Sequence, residues 1–133
     1  MKIFIIDDSK DTIDRFKESS PSDVEIQSLT CASRLDDKYE RRINEFGPDL
    51  IILDLLLSQT VESGFRVLRQ LKASYLLKNI PVVVWSMYIG EACQLKRNKE
   101  RALRLGAVAA TSKCPFPKWD QILEYAKPEG GYV

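Results

Sequence analysis

The stretch Pro48–Leu57, PDLIILDLLL, decides the fold class of this chain. Seven of its ten residues are Ile or Leu, which is typical of a strand buried on both faces in the middle of a parallel sheet. A charged, unpaired carboxylate inside such a strand would be costly. We therefore expect the strand to end at Asp54 and to place it at the carboxyl edge of the sheet, where open α/β folds bind ligands. At this point it remains open whether Asp54 merely begins a turn.

Length and composition describe an ordinary globular protein. The chain has 133 residues, of which 44% are hydrophobic and 29% charged, so we expect one domain over residues 1–127 and a C-terminal tail over 128–133. With a net charge of +1, no overall charge favours nucleic acid or an anionic membrane as the partner, and we expect neither. The sequence has no run long enough to span a bilayer and no signal-peptide pattern, and we expect a cytoplasmic protein.

Two residue types restrict the chemistry. The sequence contains no histidine, which excludes sites built on histidine bases or ligands. The three cysteines, Cys31, Cys93 and Cys114, are odd in number and widely spaced, so they predict neither a disulfide framework nor a zinc site. The available groups are carboxylates, lysines, hydroxyls and thiols.

Strand and helix patterns alternate five times, which predicts parallel strands with helices on both faces of the sheet. The two most apolar strands, around Ile52 and Val83, should be central. The predicted strands are Lys2–Ile6, Val24–Leu29, the stretch around Asp54, Val82–Trp85 and Ala107–Ala110, and the helices begin at Lys10, Ser33, Gly64, Glu91 and Pro117.

Polar side chains follow four of these strands. Asp7 and Asp8 end the first, Asp54 the third and Ser86 the fourth, while Lys113 follows the fifth. Because parallel strands end at one edge, we expect these groups to meet there. Clustered carboxylates repel one another unless a cation joins them, and Mg²⁺ prefers such oxygen ligands. Individually each residue has an ordinary explanation as a cap, a turn or a solvated lysine; together they suit a phosphoryl group attached to Asp54.

Four stretches make the chain resemble the receiver domain of two-component response regulators. They are FIIDDS, PDLIILD, IPVVVWS and GAVAATSKCPF, and the resemblance extends from Lys2 to about Ala126. It implies a flavodoxin-like (βα)5 fold with strand order 2-1-3-4-5. It also implies a phosphohistidine donor on a histidine kinase or a histidine phosphotransfer protein.

The resemblance assigns a role to each residue of the polar edge. Asp54 resembles the phospho-accepting aspartate, and Ser86 and Lys113 resemble the switch hydroxyl and the lysine that contact the phosphoryl group. The implied Mg²⁺ ligands are Asp7, Asp8, Asp54 and the backbone carbonyl of Leu56.

The sequence departs from the family pattern at several places, three of which bear on the site and its readout. Cys114 stands between Lys113 and Pro115, where the family usually has Lys-Pro. Ala110 occupies the position at which receivers commonly carry an aromatic residue whose ring changes rotamer as a switch. Either this ring movement is missing here, or another aromatic residue such as Tyr88 replaces it. The loop after Asp54 is about two residues longer than usual.

The fourth helix is rich in cations, namely Lys96, Arg97, Lys99, Arg101 and Arg104. This cluster is either a solvated helix face or a docking surface, for which an acidic protein partner is favoured over nucleic acid. The downstream partner is not identifiable from the sequence, and homodimerisation remains open.

Three functions are compatible with these residues. The leading hypothesis is a receiver that accepts a phosphoryl group on Asp54, signals through protein contacts and catalyses only its own phosphorylation and dephosphorylation. The second is a degenerate receiver-like adaptor that binds partners without phosphorylation. The third is a small Mg²⁺-dependent phosphotransferase or phosphatase, which the short loops disfavour.

Overall fold

Five strands and five helices alternate along the chain in the computed structural model, which describes residues 1–30, 34–113 and 119–126. The strands are β1 (Lys2–Ile6), β2 (Glu25–Leu29), β3 (Leu50–Leu53), β4 (Val82–Ser86) and β5 (Ala109–Ser112). The helices are α1 (Lys10–Ser19), α2 (Asp37–Phe46), α3 (Val61–Ala73), α4 (Cys93–Arg104) and α5 (Trp119–Tyr125).

All strand pairings are parallel, and the sheet order is β2-β1-β3-β4-β5. The predicted fold class and strand order are therefore confirmed. Ile52 of β3 pairs with Ile5 of β1 on one side and with Val83 of β4 on the other. The two most apolar strands are central, as the sequence predicts, and β3 ends immediately before Asp54.

Alternate residues of the central strands enter two separate cores. Ile51 and Leu53 belong to the core that contains residues of α2, α3 and α4. Ile52 lies in the core on the other face, with Phe16 of α1 and Ile122 of α5. Because both faces of the sheet are covered, only the strand ends are available for polar chemistry.

Three helices begin elsewhere than predicted: α4 begins at Cys93 rather than at Glu91, and the beginnings of α2 and α3 are fixed by polar caps. The helix expected to open at Ser33 begins at Asp37, where the Asp36 side chain accepts a hydrogen bond from the Tyr39 amide at 3.0 Å. Likewise α3 begins before Gly64, because the Thr60 hydroxyl accepts from the Ser63 amide at 3.2 Å. Side-chain capping of this kind satisfies amides that have no partner within the helix.

The last predicted strand is displaced by two residues. Ala107 lies after α4 but is still bonded to it, because its amide donates to the Ala102 carbonyl at 3.1 Å. Pairing with β4 begins with the Val108 amide, which donates to Val82 at 2.9 Å. Consequently β5 starts at Ala109 rather than at Ala107.

Several predicted features lie outside the described residues. They are the positions of Ser33, Cys31, Cys114, Pro115 and Pro117, and the tail over 128–133. Within the described ranges, no helix combines the length and the apolar character that crossing a bilayer requires.

The loop after Asp54 contains a tight turn with unfavourable backbone angles. Ser58 and Gln59 have φ values of 49° and 68°, and Leu57 pairs with Thr60 across them. Left-handed φ at both central positions is the arrangement of two-residue type I′ turns, which favour Asn and Gly. Here neither residue is of that kind.

Replacing Gln59 by glycine should therefore stabilise the fold. We expect Gln59→Gly to raise the free energy of unfolding by about 0.5–1 kcal/mol, because glycine adopts a left-handed φ without the steric cost of a Cβ. Urea unfolding measures this difference. Gln59→Ala is the matched control and should give no gain, since alanine retains the Cβ; equal effects of the two variants would contradict the explanation.

Candidate functional site

Three carboxylates meet at the carboxyl edge of the sheet. Asp7 and Asp8 follow β1 and Asp54 follows β3, and the Asp54 amide donates to the Ile6 carbonyl at 2.9 Å. Carboxylate oxygens of the three residues lie within 4.8 Å of one another. Asp7 and Asp54 are almost completely buried, with 1% and 5% of their surface exposed. The pairing of β1 with β3 therefore places the acids together.

Lys113 bridges two of the carboxylates. Its Nζ lies 2.9 Å from Asp7 Oδ2 and 3.1 Å from Asp54 Oδ2. It also lies 5.5 Å from the centre of the Trp85 ring, which is within the range of a cation–π contact. The end of β5 thus supplies a positive charge to the acids that follow β1 and β3.

Burial and nearby charges shift the pKa values of Asp7 and Lys113. Burial, together with the nearby charge of Asp54, raises the pKa of Asp7 above its ordinary value, although Lys113 and the Ser9 amide oppose the change. Burial alone would lower the pKa of Lys113, but the carboxylates of Asp54 and Asp7 outweigh it and raise that pKa. The lysine is therefore held as a cation, but its charge does not fully offset the burial of Asp7 and the repulsion from Asp54.

One oxygen of the cluster has no hydrogen-bond partner within the described ranges. Asp54 Oδ1 is buried and unpartnered, whereas Asp54 Oδ2 accepts from Lys113. A buried unpaired carboxylate oxygen is unfavourable unless a cation or a donor approaches it. Three hard oxygen donors around such an atom fit a divalent ion such as Mg²⁺.

Ser86 is buried at the end of β4, with its hydroxyl oxygen engaged locally. Ser86 Oγ accepts a hydrogen bond from the Tyr88 amide at 3.1 Å. Its backbone carbonyl accepts from the Lys113 amide at 3.2 Å, which ties the end of β4 to the lysine. The backbone of Ser86 therefore contacts the site residue Lys113. Its hydroxyl instead contacts the loop that follows β4.

A cavity of about 510 Å³ opens next to the carboxylates. Asp8, Asp54, Leu56 and Lys113 lie on its wall, so the structure groups the predicted site residues there, apart from Asp7 and Ser86. The remaining wall residues are Ser9, Thr12, Arg15, Trp85, Met87 and Tyr88.

Two of these wall residues were missed by the sequence interpretation. No role was assigned to Thr12 or Arg15 from the sequence, but both line the cavity. Their spacing of three residues, continuing that from Ser9, places them on one face of the helix. That spacing was the available signal, and it could be interpreted only once the edge of the sheet was located.

The basic cluster on α4 does not contribute to this cavity. Lys99 pairs with Glu91 at 3.7 Å, and Arg101 pairs with Glu62 of α3. Lys96, Arg97 and Arg104 are exposed and make no ion pair within the described part of the chain. Three of the five predicted surface cations are therefore available to solvent.

Removing the charge of Asp7 should stabilise the fold in the absence of metal. We expect Asp7→Asn to raise the free energy of unfolding by about 1 kcal/mol, because the substitution relieves the repulsion from Asp54 and the desolvation of a buried charge. Chemical unfolding in a chelating buffer measures this gain.

Mg²⁺ distinguishes that explanation from a general effect of the substitution. Adding Mg²⁺ should stabilise the unaltered protein and should have much less effect on Asp7→Asn. Asp23→Asn, which neutralises an exposed carboxyl before β2, is the matched control and should change neither quantity. A loss of stability in Asp7→Asn without metal would contradict the repulsion argument.

Comparison with known proteins identifies the fold. No protein-family model and no curated protein matches the sequence. Solved structures match: the signal receiver domain of a DNA-binding response regulator from Colwellia psychrerythraea 34H has a TM-score of 0.67 and 22% identity, covering 93% of this chain and 98% of that one. The Mn²⁺-bound form of response regulator Rcp1 has a TM-score of 0.58 and 22% identity, with coverage of 94% and 88%.

The phosphorylated cyanobacterial phytochrome response regulator RcpA gives a TM-score of 0.64 with 26% identity. That match covers 95% of this chain and 88% of the other. Together with the strand order and the parallel pairing, these similarities confirm the resemblance inferred from the sequence: the chain has the fold of a response-regulator receiver domain over almost its whole length.

Proposed function

We propose that this protein is a phospho-accepting receiver whose acceptor is Asp54. The observation that carries the proposal is the environment of this carboxylate. One oxygen contacts the Lys113 ammonium at 3.1 Å, and the other is buried without a partner in the described structure. Asp7 and Asp8 stand within 4.8 Å, and a cavity gives access to the group. The proposed donor is a phosphohistidine on a histidine kinase or a histidine phosphotransfer protein.

The transfer exchanges one bond for another. An Asp54 carboxylate oxygen attacks the phosphorus, a new O–P bond forms, and the P–N bond to the donor imidazole breaks with its electron pair returning to the nitrogen. Lys113 is positioned to neutralise an oxygen of the transferred group. The Ser86 hydroxyl, after turning away from the Tyr88 amide, is the proposed donor to another oxygen. These are the positioning and charge-stabilising roles on which phosphoryl transfer depends.

Mg²⁺ is the proposed cofactor. Asp7, Asp8 and Asp54, with the backbone carbonyl of Leu56, would hold it, and Leu56 lies on the wall of the same cavity. When bound, the ion supplies positive charge that offsets the negative charge of the transferred group. The Mn²⁺-bound form of Rcp1 supports a divalent-ion site in this fold, and phosphorylated RcpA supports phosphorylation.

The adaptor alternative rests on the departures from the family pattern. Ala110 is buried in β5 and carries no ring that could report phosphorylation. Against this alternative, a protein without phosphorylation has no physical reason to bury Asp7 beside Asp54, because the pair repels. The proposed receiver turns over no external substrate, and its only reactions are transfer to and hydrolysis from Asp54.

Intact-protein mass spectrometry tests the acceptor. Incubation with Mg²⁺ and a small acyl-phosphate donor should add one phosphoryl group, and Asp54→Asn should abolish the addition because an amide is not a nucleophile of this kind. A chelator should prevent the addition to the unaltered protein. Asp49→Asn, which changes an aspartate at the opposite end of β3, is the control and should be phosphorylated normally.

The alternatives predict different results in the same experiment. No addition to a folded protein, together with no change in Trp85 fluorescence on adding beryllofluoride, would favour the adaptor. Steady release of phosphate from a small phosphate ester would favour the phosphatase.

The exposed cations of α4 are the proposed docking surface for an acidic protein segment. Arg97 and Arg104 lie two turns apart on one side of the helix, with Lys96 beside them, and the half-buried Arg101 between them pairs with Glu62. Exposed Leu103 lies among these cations, and exposed Val108 follows the helix. Such a mixed surface fits an acidic segment with an apolar residue better than it fits a nucleic acid backbone. Lys99, the remaining cation of the predicted cluster, pairs with Glu91.

Charge reversal tests this surface. We expect Arg97→Glu combined with Arg104→Glu to weaken binding of a fluorescent acidic peptide containing a leucine by about tenfold or more, because two attractions become repulsions. Fluorescence anisotropy at several salt concentrations measures the affinity. Lys38→Glu combined with Arg41→Glu, on α2, adds the same charge elsewhere and should have little effect. Binding of a single-stranded RNA in preference to the peptide would contradict the assignment.

A further inference from the structure

Asn98 is a buried polar residue that the proposed site does not explain. Only 6% of its surface is exposed, although it lies in the otherwise highly charged helix α4. Buried amides require hydrogen-bond partners, so the contacts of this residue indicate what it holds in place. Among the described residues, the other buried polar ones belong either to the site or to the cap of α3; they are Asp7, Asp54, Ser86 and Ser63.

The partners of Asn98 connect α4 to the loop after β4. Asn98 Nδ2 donates to the Tyr88 carbonyl at 2.9 Å, and Asn98 Oδ1 accepts from Gln94 Nε2 at 3.3 Å. The amide of the same residue, Tyr88, donates to Ser86 Oγ at 3.1 Å. One backbone residue is thus hydrogen-bonded to the proposed switch hydroxyl through its nitrogen and to α4 through its oxygen.

The beginning of α4 has little local stabilisation of its own. Its N-cap residue is Ala92, which makes no side-chain capping bond, and the first turn contains no acid. Cys93 has a φ of 25°, an unfavourable value for a residue with a side chain. In addition, Lys96 brings positive charge near the positive end of the helix dipole. The first turns of α4 therefore depend on tertiary contacts such as that between Asn98 and Tyr88.

We propose that Asn98 is a positioning residue that couples the rotation of the Ser86 hydroxyl to α4. The inference rests on the proposed function. When Ser86 Oγ turns toward a phosphoryl group on Asp54, the Tyr88 amide loses its acceptor and the backbone at residue 88 is released. Because Asn98 holds the carbonyl of that residue, the movement is transmitted to the first turns of α4. No aromatic side chain is required at Ala110 for this route.

Hydrogen exchange tests the connection in the unphosphorylated protein first. We expect Asn98→Ala to accelerate exchange of the amides in residues 88–96 about fivefold, the effect of losing one ordinary hydrogen bond. Glu100→Ala, an exposed substitution in the same helix, is the control and should leave these amides unchanged. Asn98→Asp provides a second variant of equal size, whose carboxylate cannot donate to the Tyr88 carbonyl.

Beryllofluoride then tests the coupling. In the unaltered protein with Mg²⁺ it should change both Trp85 fluorescence and the exchange of residues 88–96. In Asn98→Ala and Asn98→Asp the fluorescence change should persist, while the response of α4 should be lost. A merely structural role of Asn98 would lower stability but leave the α4 response in place, and that result would overturn the proposal.

Failure of the inference and failure of the proposed function are distinguishable. If the unaltered protein shows no fluorescence change, the phosphoryl site itself is wrong and the coupling falls with it. If fluorescence changes but α4 does not respond in the unaltered protein, the site stands and the coupling through Asn98 is wrong.

Discussion

The contact of Lys113 with Asp7 and Asp54 is the interaction on which the site depends. Parallel pairing of β1 and β3 forces the acids to the same edge, and burial removes the water that would screen them. The ammonium, at 2.9 and 3.1 Å, compensates part of this charge. Without it, the apolar strands of the sheet would bring together carboxylates whose repulsion opposes the fold.

One lysine does not compensate all the negative charge of the three carboxylates. The uncompensated charge makes this edge of the sheet suited to binding a cation. Asp54 Oδ1 has no partner in the described structure, and the pKa of Asp7 remains raised despite the nearby ammonium. Binding of a divalent ion would remove this imbalance. The same imbalance explains why metal binding and stability should be linked in this protein, because a ligand that binds only the folded state stabilises it.

The sequence predicts the sheet well because buried strands have a strong compositional signal. β1 has the predicted bounds, and Asp54 follows the end of β3 as its cost inside the sheet requires. Helix beginnings were less predictable, since Asp36 rather than Ser33 caps α2. Several polar residues near each start can serve as caps, and tertiary packing selects among them. The strand order was enough to predict that the acids lie close together. It was not enough to predict how each side chain is oriented.

Asn98 shows what periodicity cannot reveal. Its position in α4 gives no sign that it is buried, because its neighbours are charged and its partner is a backbone carbonyl ten residues earlier. A backbone partner has no sequence signature, whereas an aromatic switch residue has one. A family pattern therefore makes Ala110 look like a loss of signalling. In the proposed coupling, the path runs instead through the backbone of Tyr88, which is hydrogen-bonded to the Ser86 hydroxyl on one side and to the Asn98 amide on the other.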